Sequence, residues 1–255
     1  MSALTPTVVD AQRVELMLST PLVRPPSFRE GVSVTDSVID RNEIVVFDGP
    51  AGTGKTTTAR YVAGRCARPC AVVTVPDRKS PLDLLRLIYL AVTGTQHAGT
   101  RYQMTNDLSR SLRAWAGVLV IDEMHLCGVD GLHTIVHLYE VTGRAFAVVM
   151  VGSGVSEVVD QYDNLATRVL ATVDFEPLAG EDLYETLAGM DPRLAVTPRD
   201  VLSRHNDRAC GGLLRRWVKT LTWLDILEAG PGPVDGDLLD EVAVLLRKKP
   251  RKDSR

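Results

Sequence analysis

One stretch of sequence decides the fold: Gly49-Pro50-Ala51-Gly52-Thr53-Gly54-Lys55-Thr56. It matches the pattern G-x-x-x-x-G-K-[ST] in full, and it lies between the apolar run 44–47 and a helical segment that begins at Lys55. In this context the glycines let successive backbone N–H groups face phosphate oxygens, while the positive end of the helix points at the same place. The stretch therefore predicts a P-loop, the Walker A motif.

The P-loop residues predict the bound groups as well as the loop itself. Lys55 is expected to reach the β- and γ-phosphate oxygens, and the Thr56 hydroxyl is expected to ligate magnesium. The predicted cofactors are therefore ATP and Mg²⁺. The predicted nucleotide-binding residues in this stretch are Gly49, Pro50, Ala51, Gly52, Thr53, Gly54, Lys55, Thr56 and Thr57.

A second apolar run, 118–121, ends in the two acids Asp122 and Glu123. A buried parallel strand brings its carboxyl end beside the P-loop, where Asp122 can join Thr56 in holding the metal and Glu123 can orient and deprotonate water. The pair predicts an ATPase. Small-molecule kinases also carry P-loops, but the acid after their strand is usually not followed by a glutamate aimed at water.

Apolar runs alternate with helical segments over the middle of the chain. Strands are predicted at 44–47, 71–75, 118–121, 147–151 and 172–175, and helices near 55–66, 81–92, 105–115 and 131–141. This alternation predicts an α/β fold, a P-loop NTPase of three αβα layers around a five-stranded parallel sheet. Beyond residue 177 the pattern becomes helical, at 180–188, 197–203 and 210–227.

Four segments follow from these patterns. Residues 1–40 are predicted as an N-terminal arm with a short helix at 8–19 and a breaker-rich stretch containing Pro21, Pro25, Pro26 and Gly31. Residues 41–178 form the predicted ATPase core, and 179–229 a small helical lid domain. Residues 230–255 are predicted to hold one short helix, 237–246, and a basic tail.

Composition limits the function classes. A net charge of -3 over 255 residues excludes a surface that binds polyanions everywhere, so any nucleic-acid contact must be local. The cysteines Cys66 and Cys70 have no second close pair to complete a zinc site. No signal pattern and no apolar run of about 20 residues is present, so we expect a cytoplasmic protein with no membrane contact.

The chain resembles the AAA+ ATPases and, within them, the transposition regulators typified by TniB, TnsC and MuB. The resemblance covers about residues 40–228. Besides the P-loop and 118–123, it is carried by Val148-Val-Met-Val-Gly-Ser153-Gly154, Leu165-Ala-Thr-Arg168 and Gly212-Leu-Leu-Arg215. The narrower assignment depends on the compact size, on the end of the fourth strand and on Asp122-Glu-Met-His125, where these regulators carry an Asp-Glu followed by a His.

The resemblance implies roles for three further residues. Ser153 takes the sensor-1 place, at the tip of a strand between the acidic strand and the P-loop strand. Arg168 takes the place of an arginine finger that acts on a neighbouring subunit, and Arg215 that of sensor 2, with Arg216 as the alternative. A strand-ending turn at Ser153 and solvated arginines are the open alternatives. His125, His133 and His137 are expected to be ordinary polar residues.

The resemblance also implies partners: a homo-oligomer, ring or filament, that binds double-stranded DNA with ATP and presents it to a transposase. The candidate DNA contacts are Arg78 and Lys79 in the loop after the second strand, Arg110 and Arg113 on one helical face with Arg101 nearby, and the basic tail 247–255. The alternative is an ATP-driven protein-remodelling adaptor, such as a helicase loader or a signalling switch ATPase.

Overall fold

The computed structural model describes residues 23–247 of the chain. These residues divide into two compact units, one formed by 27–49 and 55–175, the other by 23–26, 50–54 and 176–247. The helix predicted at 8–19 and the tail residues 248–255 lie outside the described residues. None of the helices in 23–247 is both long and apolar enough to cross a bilayer.

The first unit is built on the predicted five-stranded parallel sheet. Its strands run in the order β2-β3-β4-β1-β5, and every neighbouring pair is parallel. The central strands are buried along their whole length, as expected for a sheet covered on both faces. The strands are β1 Ile44–Asp48, β2 Cys70–Thr74, β3 Val118–Asp122, β4 Ala147–Val151 and β5 Val169–Asp174.

Helices cover both faces of this sheet and complete the three αβα layers. The alternating residues of β1 show the division: Ile44 and Val46 pack in one apolar cluster, and Val45 and Phe47 in the other. The first cluster is covered by α3, α4 and α5, the second by α1 and α2. The helices are α1 Pro26–Arg41, α2 Lys55–Arg65, α3 Pro81–Thr93, α4 Arg101–Trp115, α5 Gly128–Val141, α6 Val155–Asp160 and α7 Asp163–Ala166.

The prediction of a breaker-rich stretch in the N-terminal arm, residues 1–40, is wrong over its last part, where the structure has the 16-residue helix α1. Pro26 is its first residue, a position at which proline lacks no needed hydrogen bond. Gly31 is buried within it, and a Cβ there would lie 3.1 Å from both Phe175 and Thr58 side chains. The residues taken as breakers therefore start a helix and let it pack closely.

Local capping explains a difference at α4, which begins four residues before the predicted start. Thr100 and Gln103 form a capping box, in which each side chain accepts a hydrogen bond from the other residue's backbone N–H. The helix therefore begins at Arg101. At α3 the Ser80 side chain accepts a hydrogen bond from the Asp83 backbone and Pro81 follows it, so the predicted start is confirmed.

The second unit is helical, as predicted. Its apolar core is centred on Trp217 and Leu187, and Leu239 and Val242 of the last helix belong to the same cluster. The short helix near 237 is therefore packed into this unit. The sequence prediction differs, since it places this helix in a segment separate from the lid, 230–255. The helices are α8 Gly180–Met190, α9 Pro192–Val196, α10 Arg199–His205, α11 Leu214–Ile226 and α12 Gly236–Arg247.

Candidate nucleotide site

The P-loop follows β1 with backbone angles that only glycine adopts readily. Gly49 has a φ of 133° and Gly54 a φ of 109°, both in the region that disfavours residues with a Cβ. At Gly49 a Cβ would also lie 2.3 Å from the backbone oxygen of Phe175. The loop conformation is thus fixed by the glycines of the motif, and α2 begins at Lys55 directly after it.

Lys55 and Ser153 meet at one carbonyl oxygen. Lys55 is buried, with 7% of its surface exposed, and its amino group donates a hydrogen bond to the Gly49 oxygen. The Ser153 hydroxyl donates to the same oxygen at 2.8 Å. Strand β4, which leads to Ser153, lies between β3 and β1, as predicted. The sheet therefore brings the serine and the lysine to the same edge.

Thr56 and Asp122 supply the oxygen pair that suits a divalent metal. The Thr56 hydroxyl lies 3.1 Å from Oδ1 of Asp122. Adjacent ligands of octahedral Mg²⁺, each at 2.0–2.1 Å from the metal, are about 3 Å apart, so the two side chains fit its coordination. Burial raises the pKa of Asp122, and the nearby Glu123 charge adds to this, against the hydrogen bond from Thr56. A bound cation would reverse that cost.

Glu123 follows the metal acid in a strained conformation. Its φ of 59° and ψ of 36° are left-handed, which costs a residue other than glycine of order 1 kcal/mol. The carboxylate is partly exposed and lies 3.5 Å from Nδ1 of His125. His125, expected to be an ordinary polar residue, thus contacts the predicted catalytic base. With this backbone conformation the chain leaves the direction of β3 at Glu123, directly after the strand ends at Asp122.

Arg168 lies at the opposite edge of the sheet. It precedes β5, whose first residue pairs with Ile44 at the start of β1, whereas the P-loop follows Asp48 at the end of β1. A five-residue strand separates these points, which is roughly 16 Å. The Arg168 guanidinium contacts Glu140 at 2.6 Å. An arginine in this place cannot serve its own P-loop.

Arg215 and Arg216 differ in what they contact. The backbone N–H of Arg215 donates to the Gly52 oxygen at 3.1 Å, and both residues belong to the second unit. The guanidinium of Arg216 donates to the Ala209 oxygen at 2.9 Å. Within residues 23–247 no such hydrogen bond is found for the Arg215 guanidinium. Of the two, Arg215 is therefore the candidate that keeps its side chain available.

The candidate DNA residues are unequal. Arg78 is exposed, and Lys79 pairs with Asp77 at 2.7 Å. Arg110 is exposed but contacts Asp107 one turn before it. Arg113 donates to the Thr142 oxygen at 3.4 Å and also to the Val141 oxygen, so it caps the end of α5. Its guanidinium is committed to the protein's own backbone, against the prediction of a DNA contact.

Comparison with known proteins agrees with this architecture. Residues 39–162 match the family model described as an AAA domain. The structure of the Thermotoga maritima RuvB Holliday junction branch migration motor has a similar fold, with a TM-score of 0.54 and 16% identity over 86% of this chain and 68% of that one. The chain has the AAA+ fold. Two structures of RuvB variants give TM-scores of 0.53 and 0.53 at 16% identity, covering 93% and 95% of this chain and 70% of theirs. No curated protein matches the sequence.

The AAA domain match covers part of the candidate site. The P-loop, Asp122, Glu123 and Ser153 lie inside residues 39–162, whereas Arg168 and Arg215 lie beyond them. The roles proposed for these two arginines are therefore supported by their positions in the fold and not by the family match. Asp48 also lies inside the match, and the sequence reasoning missed it. It is an acid that directly precedes the first P-loop glycine, and it is 5% exposed.

Proposed function

We propose that this protein binds ATP with Mg²⁺ and hydrolyses it to ADP and phosphate. The observation that carries the proposal is the 3.1 Å approach of the Thr56 hydroxyl to the Asp122 carboxylate beside a glycine-shaped loop. Lys55, buried at the start of α2, supplies a positive charge for the phosphates. The AAA domain match over these residues supports the same assignment.

Each residue of this edge has a chemical task in the proposed reaction. Thr56 and Asp122 would hold Mg²⁺, which when bound neutralises charge on the phosphates. Glu123 accepts a proton from the attacking water and orients it toward the γ-phosphate. Ser153 offers a hydroxyl to the γ-phosphate or to the water. Lys55 exchanges its contact with the Gly49 oxygen for phosphate oxygens.

We propose that hydrolysis needs a second copy of the chain. Arg168 lies at the edge of the sheet away from its own P-loop, so its guanidinium can meet a γ-phosphate only on a neighbouring subunit. The Glu140 contact holds it half-exposed until a neighbour binds. Arg215, bonded through its backbone to Gly52, would close on the phosphates of its own subunit. A homo-oligomer, ring or filament, follows from the trans arginine.

The finer proposal is a regulator of DNA transposition that assembles on double-stranded DNA with ATP and presents it to a transposase. It is supported by the resemblance of the motifs, by exposed Arg78 with Lys79, and by the RuvB fold, since RuvB is described as a Holliday junction motor. Because Arg113 donates to backbone oxygens at the end of α5 and both Lys79 and Arg110 pair with aspartates, the exposed Arg78 is the first candidate for the DNA contact.

The test is ATP turnover of the full chain with Mg²⁺, with and without duplex DNA. Wild-type protein should hydrolyse ATP, and Lys55→Ala protein should not. Duplex DNA should stimulate turnover, and this effect should fade as salt rises. The logarithm of the DNA binding constant should fall against the logarithm of salt concentration with a slope of about -0.9 per neutralised phosphate. Turnover that ignores DNA but responds to a protein partner would favour the remodelling adaptor instead. Absence of turnover in the wild type would refute the ATPase proposal.

A further inference from the structure

Asp48 is a buried acid at the end of β1 that accepts four hydrogen bonds. Its Oδ1 accepts from the backbone N–H of Gly49 at 2.6 Å and of Gly154 at 2.8 Å. Its Oδ2 accepts from the backbone N–H of Ser156 at 2.7 Å and from the Ser156 hydroxyl. Burial raises its pKa, but these hydrogen bonds outweigh burial and hold the pKa below its ordinary value.

These four bonds join the P-loop to the loop that carries Ser153. The backbone ladder between β1 and β4 reaches its end with the Gly152 N–H and the Phe47 oxygen, at 3.1 Å. Beyond that point Asp48 bonds Gly154 and Ser156, and Ser153 bonds the Gly49 oxygen. The backbone N–H groups of Gly152 and Gly154, on either side of Ser153, are thus both held, and the Ser153 hydroxyl is held on the Gly49 oxygen.

We infer that Asp48 is a positioning residue that fixes the Ser153 hydroxyl against the P-loop for the reacting phosphate. The inference rests on the proposed ATPase function. A carboxylate suits this task because each of its two oxygens serves two donors and carries no hydrogen. Asparagine would point its amide N–H groups at donors on one side. The hydrogen bonds on that side would be lost, and Ser153 would lose its fixed place.

The experiment is a double-mutant cycle on the full chain with Asp48→Asn and Ser153→Ala. Asp48→Asn should lower kcat roughly 10- to 100-fold, because small misplacements of a catalytic group have effects of this size. The dissociation constant of a non-hydrolysable ATP analogue should change by less than about threefold, because Lys55 and the loop remain. The double variant should be no slower than the slower single variant, since both changes remove the same serine contact.

Two further variants make the result decisive. Asp174→Asn removes an exposed carboxylate from the residue of β5 that pairs with Asp48, so it tests loss of charge alone and should leave kcat within about twofold. Ser156→Ala removes one donor to Asp48 and keeps the backbone. It should lower kcat severalfold, again without effect in the Ser153→Ala background, and it decides the matter if Asp48→Asn fails to fold.

Two outcomes would overturn the inference. One is a wild-type kcat in the Asp48→Asn protein, and the other is an effect of Asp48→Asn or Ser156→Ala that persists in full when Ser153 is alanine. Failure of the proposed function is distinguishable, because the wild-type protein itself would then show no turnover in the same assay.

Discussion

The carboxyl ends and the amino ends of the parallel strands form two edges of the sheet, and polar side chains have different roles at each. At the carboxyl edge, Lys55, Thr56 and Asp122 converge on one small region beside the P-loop. At the amino edge, Arg68 donates to the backbone oxygens of Ile39, near the end of α1, and of Ala116 and Gly117, between α4 and β3. In the same place the Tyr139 hydroxyl donates to the Asn42 oxygen at 2.8 Å.

The two edges separate functional from structural polar residues in this fold. At the amino edge, Arg68 and Tyr139 donate to backbone oxygens near the ends of α1 and α4 and before β1, so they tie neighbouring elements together. At the carboxyl edge the Thr56 hydroxyl contacts the Asp122 carboxylate, and these two oxygens have the spacing of metal ligands. Arg168 is the test of the distinction, because it lies at the amino edge and yet is proposed to act in catalysis.

Replacing Arg168 with alanine should lower ATP turnover more than replacing Glu123 with glutamine, through loss of an arginine that acts on the neighbouring subunit. We expect ATP turnover of the oligomer to fall about 10³-fold, because an arginine finger stabilises charge that develops on the γ-phosphate. ATP affinity of the isolated subunit should be unchanged. Steady-state turnover and binding of a fluorescent ATP analogue measure the two quantities.

Arg144→Ala is the matched control for this variant. Arg144 also contacts Glu140, at 3.4 Å, so its removal tests loss of a surface arginine from the same carboxylate. Its turnover should match that of the wild type. Mixing Arg168→Ala with Lys55→Ala subunits should restore activity, because the latter supply the arginine to intact sites. No restoration at any mixing ratio would refute action in trans.

Glu123→Gln should also lower ATP turnover strongly, as expected if the carboxyl edge is where the reaction takes place. Glutamine cannot accept the proton of water, so turnover should fall about 10²-fold or more while ATP stays bound. Oligomers formed with ATP should consequently persist, which size-exclusion chromatography would measure. Glu157→Gln, an exposed acid of α6, is the control and should keep its turnover. A wild-type rate in Glu123→Gln would remove Glu123 as the base.

The sheet and the helices between its strands could be predicted from the sequence to within a few residues because the signals are local, whereas α1 could not. All five strands are apolar runs, and the P-loop fixes where the first one ends. In a parallel sheet of this strand order, Asp122 and Ser153 lie at the same carboxyl edge as the P-loop. The main site residues therefore also follow from the sequence. Their catalytic roles stay predictions.

What could not be predicted depends on contacts between distant residues. Asp48 looks like an acid that ends a strand, because its donors Gly154 and Ser156 come more than a hundred residues later. Arg113 looks like a free basic residue, because the backbone oxygens it contacts belong to the end of another helix. Gly31 reads as a breaker until Phe175 packs against it.

Arg68→Ala should lower stability and leave chemistry unchanged, as expected of the amino edge. Three backbone oxygens would lose a charged donor, which costs about 2 kcal/mol in the free energy of unfolding. Urea unfolding would measure this, and kcat should equal that of the wild type. Arg65→Ala removes an exposed ion pair with Asp36 and a contact with the Tyr61 ring, and it should cost less than Arg68→Ala, about 1 kcal/mol. A large fall in kcat for Arg68→Ala would undo the distinction between the edges.

Asp122→Asn should have the smallest effect on stability, and one of opposite sign. Burial, and then the charge of Glu123, raise the pKa of Asp122 above its ordinary value of 3.8. The metal-free fold therefore favours the protonated acid, and its contribution to stability is lost as pH rises through the raised pKa. Asparagine keeps the oxygen that accepts from Thr56 and Glu123 and carries no charge. The variant should melt at a higher temperature than the wild type at neutral pH in EDTA.

The pH dependence of this gain separates its cause from general packing. The difference in Tm should shrink as pH falls and Asp122 takes up its proton, because both proteins then carry a neutral group at the same place. With Mg²⁺ and ATP added at neutral pH the order should reverse, since the wild-type carboxylate gains a cation that the amide binds poorly. A gain in Tm that is constant from acid to neutral pH would mean that burial of the Asp122 charge does not destabilise the ligand-free protein. The polar groups at the carboxyl edge would then be as stable without a bound ligand as those at the amino edge.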